Sequence, residues 1–71
     1  MMAEETTLSL TAQQAGALVV SGGCISRVTR TRGPCTETLD PKAGTYTARA
    51  GDLFRVVYTN PNGGTPSANF R

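Results

Sequence analysis

The chain has no His and no Trp, and only two Cys, two Tyr and two Phe among its 71 residues. Without His the commonest general base and metal ligand is missing, which leaves acid and base work to Glu37, Asp40 and Asp52. All three fall at strand ends or among turn residues, where a carboxylate ordinarily serves solvated turn chemistry. Catalysis is therefore not expected. Two cysteines are too few for a four-ligand structural zinc site, and Cys24 and Cys35 do not have Cys-x-x-Cys spacing, so no metal and no other cofactor is expected either.

Apolar material is equally short. Only 13 of the 71 residues are Leu, Ile, Val or Phe. A chain this small buries about 60% of its unfolded surface, and its core supplies about 3–5 kcal/mol, so something outside the chain is expected to complete the fold. Met1–Thr7 has no basic stretch followed by an apolar one, and no run approaches the roughly 20 residues that span a bilayer. Neither a signal peptide nor a membrane contact is expected, and synthesis in a cytoplasm follows. The formal charge of +2 is too small for strong self-repulsion. With abundant Thr and glycines at apparent turns, it favours one small folded β unit over a disordered chain.

What is present reads as strand. Thr6–Leu10 alternates with period two, and Ala17–Val20 is a continuous apolar run ending at Ser21-Gly22-Gly23, as in a strand covered on both faces before a turn. Between them, Thr11-Ala12-Gln13-Gln14 has capping-box spacing and supports at most one helical turn, since Gly16 follows. Ser26–Thr31 offers almost nothing to bury and reads as an edge strand or projecting ribbon, its arginines blocking unwanted pairing. Arg32-Gly33-Pro34 breaks that pattern, and Cys35–Leu39 resumes it. Asp40-Pro41 opens a turn through Gly44. Thr45–Ala48 and Leu53–Thr59 flank Arg49-Ala50-Gly51-Asp52 as the strongest hairpin signal in the chain. The predicted core, or oligomer contact, is Leu18, Val19, Val20, Phe54, Val56 and Tyr58. Residues 1–59 make a small β domain, and 60–71, rich in Asn, Gly and Pro, make an extended polar tail.

Two residue sets invite function. Cys24 and Cys35 sit at the base of the basic Ile25–Pro34 segment, where a disulfide would close a loop valued at about 3 kcal/mol. A tight hairpin at Gly33-Pro34 would not pair them, so the disulfide needs a wide loop; two buried free thiols are the alternative. Arg27, Arg30 and Arg32 form a basic cluster suited to a solvated edge or to an acidic protein surface. Nucleic acid is not expected, because the aromatics Tyr46, Phe54, Tyr58 and Phe70 are not interleaved with the basic residues.

With no catalytic set, a compact β segment over Gly44–Tyr58 and polar ends suited to lying on a surface, the chain resembles the small virion proteins of tailed bacteriophages, in particular capsid decoration or cement proteins. The resemblance implies a structural protein in many symmetric copies that stabilises a shell by bridging its subunits. The expectation is an all-β sandwich or barrel-like antiparallel unit, homo-oligomeric, docked on a larger assembly such as a major capsid protein lattice in the virion. Arg27, Arg30, Arg32, Phe70 and Arg71 are the candidate partner contacts. The alternative is a small phage inhibitor of a host protein or of nucleic-acid machinery.

Overall fold

A computed structural model of the chain describes residues 5–22, 24–59 and 66–71. Seven strands run through them: β1 (Glu5–Thr11), β2 (Gly16–Ser21), β3 (Cys24–Arg32), β4 (Cys35–Leu39), β5 (Thr45–Ala48), β6 (Leu53–Thr59) and β7 (Ser67–Phe70). One sheet has the order β1-β6-β3-β4 and the other β5-β2-β7, with every pairing antiparallel. The architecture is all-β, as the sequence pattern predicts. It is a two-sheet sandwich.

Period-two patterning explains which side chains lie between the sheets. Leu18 and Val20 of β2 with Tyr46 and Ala48 of β5 face Val28 of β3 and Phe54, Val56 and Tyr58 of β6. Phe54, Leu18, Val28 and Val56 are fully buried, each contributing about 1.5–3 kcal/mol relative to exposure. Five of the six predicted core residues are buried. Val19 is the exception, half-buried on the outward face of β2, because that strand is covered on one face only.

The hairpin expected across Arg49–Asp52 does not form. The turn exists, but β5 belongs to one sheet and β6 to the other, so it carries the chain across the sandwich. Its backbone pairs instead with the end of β1: the Ala12 amide donates to the Asp52 carbonyl at 2.8 Å and the Gly51 amide to the Ala12 carbonyl at 2.8 Å. Residues 12–15 accordingly make this bridge and a bend rather than a helical turn. Leu53–Thr59 is apolar on nearly both faces because it is an interior strand, paired to β1 on one side and β3 on the other.

Ser26–Thr31 is likewise interior rather than an edge, since β3 lies between β6 and β4 and Val28 is buried. The tight hairpin in this sheet joins β3 to β4 through Gly33-Pro34. Arg32 stands opposite Cys35, and Gly33 has φ +58, which a β-carbon would disfavour. Past the expected domain boundary, Asn60–Thr65 lie outside the described residues, while Ser67–Phe70 pairs with β2 and belongs to the sandwich. Gly16 makes room for this pairing, because a Cβ there would collide with the Arg71 backbone oxygen that accepts from the Ala17 amide at 2.9 Å.

Candidate docking site

The two long flanks of the sandwich are built from different chemistry. One is bounded by β4 and β5 and is laced by polar side chains. Arg30 donates to the Thr47 carbonyl at 3.0 Å, tying β3 to β5, and pairs with Glu37 on β4. Tyr46 donates its hydroxyl to the Asp40 carbonyl at 2.7 Å, and burial pushes its phenol above the ordinary value. Asp40 also accepts from the Lys42 amide at 2.9 Å, which fixes the turn into β5.

At the adjoining corner, Arg32 grips Asp52 with two parallel bonds of 2.9 and 2.7 Å, and the Arg49 amide donates to the same carboxylate at 2.9 Å. Asp52 is 1% exposed, so an unpaired charge there would be costly. Arg32's hydrogen bonds, joined by the one from Arg49, lower its carboxyl to about 2. The solvated turn role expected for Asp52 is thus replaced by a buried anchor. Its partner lies 20 residues away in sequence.

The opposite flank is bounded by β1 and β7. Phe70 of β7 stands opposite Leu18 in register and tilts against Phe54 of β6, with ring centroids 6.1 Å apart. Leu8, Leu10 and Ala68 pack on the core here only in part. Among the described residues no side-chain hydrogen bond or ion pair joins β1 to β7, and Phe70, 40% exposed, is the one large hydrophobic side chain left open. An open groove of about 520 Å³ runs where these strands end, lined by Thr11, Gln13, Gln14, Gly16, Phe70 and Arg71. It offers an aromatic wall, a cation and amide side chains. Aromatic and Arg side chains are enriched at protein interfaces.

The candidate contacts therefore separate. Phe70 and Arg71 come together at the groove, Arg30 and Arg32 are tied to carboxylates inside the molecule, and Arg27 is exposed on the outer face of the larger sheet. The candidate disulfide Cys24–Cys35 is not formed: both thiols are free and exposed. Cys24 stands opposite Thr59, and Cys35 opposite Arg32 at the far end of β3, roughly 26 Å away at strand rise, against the about 7 Å a disulfide tolerates. The tight turn at Gly33-Pro34 is the cause. Among the described residues no group of three or more His, Cys, Asp or Glu is placed to hold a metal ion, and no helix is long and apolar enough to cross a membrane.

Neither a family model, nor a curated protein, nor a solved structure matches this chain.

The groove escaped the sequence reading because its wall is assembled from the β1–β2 loop and the last strand. Residues 11–17 and 70–71 have no shared pattern along the chain. The available signal was Gly16 itself, a glycine at a strand start where a turn was already complete, which marks a close backbone approach.

Proposed function

We propose that this protein is a small, non-enzymatic structural module that docks on a larger protein assembly through the groove at the end of its β1–β7 flank, with a bacteriophage virion shell as the setting. One observation carries the reading: the ionic lacing lies at the β4–β5 flank and its corner, while among the described residues the single open large hydrophobic side chain, Phe70, lies beside Arg71 in a groove on the other. Aromatic side chains, Phe among them, and Arg are each enriched where protein partners bind. Phe70 would fill a pocket of the partner, Arg71 would meet a carboxylate or carbonyl there, and Gln13 and Gln14 would form the polar rim.

The test is cosedimentation of the full chain with purified particles of the phage that encodes it, comparing wild type with Phe70→Ser and Arg71→Ala. Loss of at least about tenfold in bound chain for Phe70→Ser, with a smaller loss for Arg71→Ala, is expected for an anchor and its neighbour. Wild type that stays in the supernatant would overturn this reading, and a one-to-one complex with a soluble host enzyme would replace it with the inhibitor one.

A further inference from the structure

The four sheet edges are not equally protected. β4 carries Glu37 at its centre, β5 is four residues long between Gly44 and Arg49, and β7 is four residues long between Pro66 and Arg71. Shortness, charge and flanking Pro are ordinary defences of an exposed edge. β1 has only a single charge, Glu5, at its end. It is seven residues long, its register with β6 runs unbroken from Glu5↔Thr59 to Thr11↔Leu53, and from Thr6 to Thr11 it holds no charge, no Gly and no Pro.

The direction of its free backbone groups follows from the bridge at Ala12. Ala12 sends both its amide and its carbonyl toward the Gly51-Asp52 side. Alternation then points the groups of Leu10, Leu8 and Thr6 at β6 and those of Thr11, Ser9, Thr7 and Glu5 outward. The same alternation carried across β6 and β3 makes Arg32↔Cys35 a hydrogen-bonded pair, as a two-residue hairpin requires. The outward row is therefore a continuous pairing template.

We propose that the occupant of this edge is a second copy of β1, antiparallel to the first, giving a two-fold dimer whose larger sheets join into one. A two-fold axis through Leu8 uses the whole strand. Thr7 then faces Ser9 of the other copy and Glu5 faces Thr11, so all outward groups meet outward groups; Leu8 faces Leu8, and Thr6 faces Leu10. The charge pattern selects this occupant. The one charge on the strand, Glu5, falls opposite a Thr, so self-pairing opposes no like charges, whereas β4 paired with itself about its centre would set Glu37 against Glu37. The half-covered Leu8 and Leu10 gain cover on the inner side. The inference goes beyond the docking reading: the groove shares Thr11 with the paired segment, while Gln13, Gln14, Gly16, Phe70 and Arg71 lie outside it.

Sedimentation of the full chain over a range of concentrations, with Ser9→Pro and Thr36→Pro beside wild type, tests the proposal. Pro at residue 9 removes an outward amide and leaves the β1–β6 bonds in place; residue 36 is the matching outward position on β4. Wild type and Thr36→Pro should approach twice the 7.4 kDa chain mass, with Ser9→Pro weakening association at least about tenfold. Should Ser9→Pro fail to fold, Leu8→Cys in a Cys24→Ser, Cys35→Ser background replaces it. A β1 dimer brings the two residue-8 side chains together and forms a disulfide-linked dimer on oxidation. A monomer at every concentration, a dimer lost with Thr36→Pro but not Ser9→Pro, or a residue-8 thiol that stays unlinked would each overturn it. The docking reading is read separately, since Arg71→Ala should lower particle binding and leave the dimer intact.

Discussion

The β4–β5 flank and the β1–β7 flank enclose the same core and hold it by different means. On the first and its corner, two arginines, two carboxylates and a tyrosine hydroxyl are engaged in hydrogen bonds within the chain, some to each other and some to backbone carbonyls. On the second, two strands whose one charge is Glu5, at the other end of β1, stop beside a groove with Phe70 half out of the core. A sandwich of this size has few residues to divide between holding itself together and meeting others. On the proposed reading the two tasks fall on different flanks, which meet where the Ala12 amide donates to the Asp52 carbonyl.

The largest effect is expected at the buried carboxylate. Asp52→Asn keeps the shape and removes the charge, leaving Arg32 and the Arg49 amide facing a neutral group. Its urea midpoint at neutral pH should fall further than that of Gly16→Ala or Glu37→Gln. The pH profile gives a second reading. Asp52 has its folded value lowered from 3.8 to about 2, so its contribution is complete above 3.8 and is lost as pH falls through that window toward about 2. Wild type should weaken there by more than Asp52→Asn does; parallel profiles would mean that the ion pair does not hold the corner.

Next in size is Gly16→Ala, which sharpens the comparison from the open side. Its Cβ meets the Arg71 backbone oxygen, and a forced shift of this kind costs about 1–3 kcal/mol. Faster amide exchange in Ser67–Phe70 with unchanged exchange in β3 and β4 is the expected outcome, since the strain falls where β2 meets the end of β7, in the smaller sheet. The smallest effect belongs to Glu37→Gln. Glu37 is 59% exposed, so losing its charge should change stability by no more than about 0.5 kcal/mol in a denaturant titration. A loss as large as that at Asp52 would erase the distinction between a surface pair and a buried one.

The strands were legible, because alternation in Thr6–Leu10 and Leu53–Thr59 and the turn residues between segments act locally. Sheet membership was not. Arg49-Ala50-Gly51-Asp52 announces a reversal, but the same residues serve a hairpin or an arch between sheets, and the choice rests on Ala12, which is remote in sequence. Arg30 and Arg32 read as edge guards for a related reason. Their partners Glu37 and Asp52 are fixed by strand register, which composition does not reveal. Of the candidate contacts, Phe70 and Arg71 were placed on a tail; a four-residue strand with one large apolar side chain carries too weak a pattern to be seen alone, and it is held by Gly16 and β2.

Residue-resolved amide exchange as a function of protein concentration addresses the difference between the flanks most directly, because it reads the free backbone groups of both in one sample. Thr7, Ser9 and Thr11 should exchange fast when dilute and gain protection as concentration rises, while Thr36 and Thr38 on β4 stay fast throughout. Protection rising at Thr36 and Thr38 instead, or at neither strand, would show that the unlaced side is not where this protein associates.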